Sequence, residues 1–518
     1  MNTVTIAGES PEKVARARNL HTLLDNAADA APQAPAIRDG HGSWSYAQFA
    51  AFSRAFGSWL ADRSVGLGDR VLVQLPNCRE LAAMFFGCSR RAAIFVPINP
   101  GMKPFHLRSV FANSAPRIAI VAEGQAAAVR EFAGIDVYEF PAVWSSVAGA
   151  DDAGHPGDAS PRDVAVLNYT SGSTAAPKAV VCPQAQMVFA ATAINAVLGY
   201  RSSDVVLCRL PFSFDYGLYQ ILLCCIAGAE LVIASAESDL ALLRLIREAR
   251  VTVVPLVPSL ASILIALSRR DPAPTDVRLF TNTGAALPQS ASDALRSRFP
   301  GARIARMFGI TECKRVSIMP PESEMERPAS VGLPLPGTEV LILDPAGTPL
   351  PPGRTGEIVV RGPNVMAGYW RAAEATARTF RPDASTGAAA LHTGDYGFLD
   401  EDGYLYFEGR RDDMFKHKGV RMSTIEIEAA AVDISGVRGA VALPPEDGGE
   451  LTICVATDLA PKVVLRELAA RLEAAKVPTA CYVMEQLPLT PNGKYKRTLT
   501  ELIKDVPRES PYPVNDQG

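Results

Sequence analysis

The chain predicts an α/β protein with mainly parallel sheets, divided over more than one domain. Three observations predict it: short β-type runs alternate with helical patterns, 518 residues exceed what one core organises, and the composition changes abruptly near residue 410. Apolar and β-branched residues dominate the runs at 70–75, 93–97, 118–121, 205–208 and 231–234. Between such runs, stretches such as 81–91 and 240–250 repeat apolar residues at every third or fourth position, which is the helical period. Strands separated by helices pair in parallel through βαβ units. The apolar stretch from Ile221 to Gly228 meets Glu230 too soon to span a bilayer and reads as a buried helix or strand.

Downstream, the Pro/Gly-rich segment 345–356 leads into Glu357-Ile-Val-Val-Arg361, a barrel-like strand. Segment 149–161, rich in Gly, Ala, Asp and Pro, reads as a surface linker. The passage from Tyr404-Leu-Tyr-Phe407 to the charged Gly409-Arg-Arg-Asp-Asp413 marks a boundary, and a compact α+β unit of about 100 residues follows it. The first 17 or so residues and the tail beyond Val506 read as frayed ends.

Hydrophobic content of 48% with 20% charged residues fits a folded enzyme, and a net charge of -4 argues against nucleic acid, whose binding requires a basic face. Nine scattered cysteines, none in a CxxC pair, read as reduced core thiols of a cytoplasmic protein. Six histidines without metal-ligand spacing argue against a structural zinc. The first 20 residues lack the apolar core of a signal peptide.

The run Tyr169-Thr-Ser-Gly-Ser-Thr-Ala-Ala-Pro-Lys178 follows an apolar strand-like segment, 164–168. Small residues let backbone N–H groups approach a phosphate, hydroxyls add donors and the lysine adds a point charge. It is not the GxxxxGK[ST] nucleotide loop, because its lysine follows a proline. By turn chemistry alone such a cluster is ordinarily a solvated turn. Four further turns accompany it, in order: Phe308-Gly-Ile-Thr-Glu312, Thr393-Gly-Asp395, Gly409-Arg-Arg-Asp412 and Pro491-Asn-Gly-Lys494.

Taken together, these five segments resemble the adenylate-forming superfamily of acyl-CoA synthetases, peptide-synthetase adenylation domains and luciferases. The resemblance runs from about Leu20 to Lys496. It implies a large N-terminal domain over 1–411, made of two mixed or parallel-sheet subdomains plus a barrel-like subdomain. A small mobile α+β C-terminal domain over 412–518 would carry the catalytic lysine. The implied substrates are ATP with Mg2+, a small carboxylic or amino acid, and the phosphopantetheine thiol of coenzyme A or of a carrier protein. No membrane span and no nucleic-acid partner are expected.

By the same resemblance, Thr170, Ser171, Gly172, Ser173, Thr174 and Lys178 form the phosphate loop, with Thr174 and Glu312 holding magnesium. Gly284-Ala285-Ala286 flank adenine, and Phe308 replaces the usual tyrosine ahead of Gly309 and Thr311. Asp395 accepts the ribose hydroxyls, while Arg410 contacts ribose or phosphate. Lys494 bridges the substrate carboxylate and the α-phosphate. Asp412 is the hinge, Gly419 leaves room for the phosphopantetheine arm, and Arg421 faces its phosphate. Lys416 and Lys418 are basic residues suited to coenzyme A or plain surface charge. Ala175 and Ala179 depart from the family's glycines, and either would be strained if its position required positive φ.

The acyl pocket maps onto Phe214, Asp215, Tyr216, Tyr219, Pro255, Thr281, Thr283, Met307, Arg315 and Val316. These side chains suit a small or medium acid rather than a long fatty chain. Asp215 stands where amino-acid-activating domains bind the substrate ammonium, yet Lys314 or Arg315 could instead pair with it internally. An unpaired Arg315 would suit a second substrate carboxylate. Three functions follow from this. The first is an AMP-forming acid–thiol ligase, the second a stand-alone amino-acid ligase loading a separate carrier protein, and the third a catalytically silent binding module.

Overall fold

The computed structural model describes residues 19–102, 104–149, 159–170, 178–234, 241–383, 387, 389–410, 414–417, 420–445, 450–472, 474–490 and 495–503. Two large sheets carry the first part of the chain. The six-stranded one is ordered Asp136–Glu139, Ile118–Val121, Arg70–Gln74, Ile94–Pro97, Val164–Thr170 and Lys178–Pro183. All its pairs are parallel except the last, where Val164–Thr170 turns back into Lys178–Pro183.

The nine-stranded sheet runs Leu333–Pro334, Ser317–Ile318, Arg303–Phe308, Leu279–Asn282, Val253–Leu256, Val205–Cys208, Glu230–Ile233, Pro35–Asp39 and Gly42–Ser45. Its six middle strands are parallel and its outer pairs antiparallel. The alternating pattern in the sequence arises here, because each parallel neighbour requires a crossover. Gln184–Leu198 leads from the first sheet to the second, and crossovers between parallel neighbours include Arg79–Arg90 and Asp215–Ala227. The last of these settles the stretch at 221–228 as a helix, and it is buried along most of its length. Among the described residues no helix is long and apolar enough to cross a membrane.

A five-stranded antiparallel sheet follows, comprising Glu339–Leu343, Gly356–Arg361, Ala389–Leu399, Phe380–Pro382 and Leu405–Arg410. It is the expected barrel-like part and packs around its own core of Val340, Ile358, Val360, Leu391 and Leu405. Beyond the hairpin Met414–His417 and Val420–Ser423, the strands Val437–Leu443, Thr452–Thr457 and Ala480–Met484 form a mixed sheet. With the helices Thr424–Val432 and Pro461–Ala469 it makes an α+β unit whose core includes Ile427, Val455, Val464 and Leu468. All nine cysteines are free thiols and eight are buried. Cys78 is the half-buried one, and its sulfur caps Arg79–Arg90 by accepting from the Leu81 N–H.

Candidate active site

In open α/β sheets, side chains for ligands gather at the carboxyl ends of the parallel strands, where loops turn and helix N-termini expose backbone donors. Most of the sequence-derived candidates sit there. The segment carrying Phe214 and Asp215 follows Val205–Cys208, Pro255 lies in Val253–Leu256, Thr283 to Ala286 follow Leu279–Asn282, and Gly309 to Glu312 follow Arg303–Phe308. In the six-stranded sheet, Thr170 and Lys178 face each other in register at the corresponding end, closing the mouth of the phosphate loop.

The phosphate corner is built from three segments. Lys178 opens its strand, and the next residues are tied to segment 367–370: Val181 N–H donates to Gly368 O at 2.9 Å, and Trp370 N–H to Ala179 O at 2.8 Å. That ladder carries Tyr369 to the site. Its hydroxyl donates to Glu312 Oε1 at 2.5 Å, and Lys178 Nζ lies 5.9 Å from its ring centroid. Burial and then the Glu312 charge push the Tyr369 phenol well above its ordinary range, so it stays protonated and donates. The same phenol also feels Arg410. Glu312 itself makes no ion pair among the described residues.

The Phe308–Val316 turn is tight. Lys314 N–H donates to Ile310 O at 2.8 Å and Val316 N–H to Phe308 O at 2.9 Å. Gly309 permits the fold-back, since a Cβ there would sit 2.3 Å from Lys314 O. Lys314 adopts φ 68°, a left-handed conformation that costs a non-glycine residue about 1 kcal/mol or more. The turn drives its side chain inward, where Nζ donates to the Cys182 thiol at 3.3 Å and lies 5.8 Å from the Tyr219 ring centroid. Phe308 stacks on Phe407 with centroids 4.7 Å apart, while Ala285 and Ala286 are exposed beside the positive-φ Gly284.

On the acid side, Asp215 begins the helix Asp215–Ala227, is 5% exposed, and makes no ion pair or side-chain hydrogen bond among the described residues. Neither Lys314 nor Arg315 pairs with it, so the internal pair expected as one alternative does not form. Arg315, 4% exposed, donates to Lys314 O and lies 5.0 Å from the Tyr216 ring centroid, while its Nε is buried without a partner. Thr283 Oγ1 is likewise buried and unpaired. Tyr216 spends its hydroxyl on Thr281, both backbone oxygen and Oγ1 at 2.7 Å, which ties the first turn of the helix Asp215–Ala227 to the strand Leu279–Asn282. Burial pushes the Tyr219 phenol far up, with Asp215 raising it further and Arg315 opposing. Pro255, Met307 and Val316 are buried apolar parts of this wall, and Phe214 meets Tyr216 edge-on at 6.5 Å.

At the barrel-like sheet, Asp395 pairs in register with Arg410, and the Nε–Oδ1 distance is 3.5 Å. The acid is 2% exposed whereas the Arg410 side chain is 59% exposed, so only the carboxylate end of the pair is buried. Ala179 lies in a regular strand opposite Tyr169 without positive φ, and the strain expected there is absent. Ser171 to Ala175, Asp412, Lys418, Gly419 and Lys494 lie outside the described residues. Of Thr170, Lys416 and Arg421 only the strand placement is described. Sequence reasoning missed Tyr369 and Cys182. For Tyr369 the one available signal was an aromatic pair directly after Gly368.

The gathering of these candidates at the strand ends fits the class that the sequence resembles, a nucleotide-dependent acid-activating enzyme. The chain belongs to the AMP-binding enzyme family, whose sequence model matches residues 24–370. It is 28% identical over 497 residues to 4-coumarate–CoA ligase 3 of Oryza sativa subsp. japonica, covering 89% of this chain and 88% of that one. The crystal structure of VinN superposes with TM-score 0.71 at 53% identity, covering 76% of this chain and 98% of VinN. VinN has also been solved with L-aspartate and with 3-methylaspartate. ATP-bound MatB from Rhodopseudomonas palustris superposes with TM-score 0.83 at 25% identity, over 92% of this chain and 97% of that one. The protein is thus an AMP-forming acid–thiol ligase: it uses ATP to activate an acid as its acyl-adenylate and passes the acyl group to a phosphopantetheine thiol.

Proposed function

We propose that the acid is an amino dicarboxylic acid of about aspartate size and that the acceptor is the thiol of a separate carrier protein. One observation carries this reading: Asp215 and Arg315 are both buried, carry opposite charges and lack ion-pair partners among the described residues. Buried charges are costly unless paired. A substrate ammonium on Asp215 and a second substrate carboxylate on Arg315, assisted by the Thr283 hydroxyl, would satisfy both. The two VinN complexes, with L-aspartate and 3-methylaspartate, support the same substrate class.

In the first half-reaction an oxygen of the remaining carboxylate attacks the α-phosphorus of ATP and pyrophosphate leaves. Both reactants are anions, so cations and oriented donors must offset charge as it gathers. Lys178 supplies one charge at the phosphate corner, and Lys494 supplies the one that bridges carboxylate and α-phosphate. Glu312 fits a magnesium ion: it is an oxygen donor with no competing cation among the described residues, and no cluster of three or more metal-binding side chains surrounds it there. A hard cation bound by one carboxylate and substrate phosphates is the usual magnesium arrangement. Thr174 of the phosphate loop would add a hydroxyl, and the ion would neutralise phosphate charge. Asp395 and Arg410 hold the ribose, and Gly284 to Ala286 with Phe308 bracket the base.

In the second half-reaction the thiol attacks the acyl carbon and AMP leaves. The unit over 412–518 rotates about Asp412, bringing Gly419 and Arg421 to the phosphopantetheine arm. The free thiols fit a reducing compartment, the cytoplasm. Pyrophosphate release against L-aspartate, 3-methylaspartate, β-alanine, malonate and 4-coumarate tests the substrate class. Release with the amino dicarboxylates should exceed the others at least about tenfold, since leaving a buried polar group unpaired costs about 1–3 kcal/mol. Equal release with malonate or 4-coumarate would sink the reading, and product mass with coenzyme A or a carrier protein identifies the acceptor.

A further inference from the structure

We propose that Tyr369 is a positioning residue for Glu312, orienting the carboxylate so that one oxygen is held by the phenol and the other is presented to a divalent cation on the ATP phosphates. This rests on the reading of Glu312 as the metal ligand and adds the residue that aims it.

Three independent observations meet at Tyr369. Its hydroxyl donates to Glu312 Oε1 at 2.5 Å, the short distance typical of a hydrogen bond to an ionised carboxylate. Its ring faces the Lys178 ammonium, 5.9 Å from the centroid. Its backbone is fixed from elsewhere: Val180 bridges to it, Trp370 N–H donates to Ala179 O, and its own N–H donates to Thr376 Oγ1 at 2.9 Å. The Glu312 backbone is fixed by the same segment, since Met366 N–H donates to Glu312 O at 2.9 Å. One short segment, 366–370, therefore sets the strand that carries the phosphate-loop lysine, the main chain of Glu312 and the direction of its carboxylate.

The physical consequence is pre-organisation. A glutamate free to rotate must lose side-chain entropy to meet a cation, and a carboxylate already held at one oxygen has lost much of it. Partners that hydrogen-bond a metal-ligating carboxylate change metal affinity about 10–100-fold when removed. The ring has a second effect. It lies beside the Lys178 ammonium, so the residue that holds Glu312 also lines the lysine's side of the corner.

Tyr369→Phe removes only the hydroxyl. The ring remains beside Lys178, and the backbone ladder does not depend on the phenol. The experiment uses the full chain and measures binding of Mn2+ with a non-hydrolysable ATP analogue by the electron paramagnetic resonance signal of free Mn2+. AMP affinity and melting midpoint are recorded for the same samples, with Glu312→Gln as reference. The expected result is that Tyr369→Phe weakens the Mn2+–nucleotide complex about tenfold or more while AMP affinity and the melting midpoint stay close to wild type. Wild-type Mn2+ binding by Tyr369→Phe, with Glu312→Gln impaired, overturns the positioning role alone. Wild-type binding by Glu312→Gln overturns the metal-ligand reading and this proposal with it. Equal loss of Mn2+ and AMP binding by Tyr369→Phe also overturns it, because that pattern marks general disruption of the site.

Discussion

The Lys314 ammonium donates to the Cys182 thiol at 3.3 Å, with both side chains buried, joining the turn behind Glu312 to the strand that leaves the phosphate loop. A thiol is a weak acceptor, and among the described residues the ammonium lies otherwise against the Tyr219 ring. A buried charge so held contributes little to stability but places positive potential among carboxylates: the Cys182 thiol feels Lys314, Asp215 and Glu312 together.

Lys314→Met, similar in length and uncharged, should leave the melting midpoint unchanged or raise it, while lowering the rate of pyrophosphate release. Thermal unfolding and the pyrophosphate assay on one preparation check both. A large fall in the midpoint would show that the ammonium is a net stabiliser.

Asp215→Asn and Arg315→Gln each remove one charge from the acid pocket. A hydrogen bond to a charged group contributes about 1.5–3 kcal/mol, so each should raise KM for an amino dicarboxylate roughly 10–150-fold. Asp215→Asn should barely affect an acid without an amine, and Arg315→Gln should barely affect one with a single carboxylate. The pattern across three acids is the measurement.

Gly309→Ala would place a Cβ 2.3 Å from Lys314 O and 2.9 Å from Arg315 Cα, both backbone atoms. Overpacking of this kind costs about 1–3 kcal/mol, and the displaced turn carries Glu312 and Arg315. Activity should fall further than stability, as judged by pyrophosphate release against urea unfolding.

Away from the site, Arg278 grips Asp204 through Nε at 2.8 Å and Nη2 at 2.5 Å, with Thr252 Oγ1 and the Arg201 N–H completing the acceptor set. Burial raises the Asp204 carboxyl, but these donors outweigh it and hold the group below its ordinary value. A depressed folded value makes the stabilisation complete above about pH 4, where unfolded aspartate titrates, and removes it as pH falls through the folded value. Asp204→Asn should therefore lower stability at neutral pH and flatten the loss below about pH 4, as read from denaturant midpoints.

On the proposed role of Lys494 in the first half-reaction alone, Lys494→Ala should abolish adenylate formation and spare thiol transfer from a preformed adenylate. Loss of an oriented charge at a developing transition state costs about 10²–10³-fold. Single-turnover assays of each step distinguish this outcome from equal loss of both.

Read by itself, the sequence determined the family, the reaction class and the layered α/β architecture. Those features are written locally: a loop of hydroxyls before Lys178, a turn ending at Glu312, strand and helix periods that survive without neighbours. Even the nature of the 221–228 stretch, however, waited on its packing as a helix. Tertiary structure alone decided the rest. Asp215 and Arg315 could have paired with each other, and only the fold of the Phe308–Val316 turn left them apart. Ala179 carried a possible strain that its place opposite Tyr169 removed. Tyr369 reaches Glu312 across 57 positions, and Lys314 reaches Cys182 across 132. The reason is physical: periodicity and turn chemistry act over a few residues, whereas the pairing of a buried charge depends on which distant strands the hydrophobic core brings side by side.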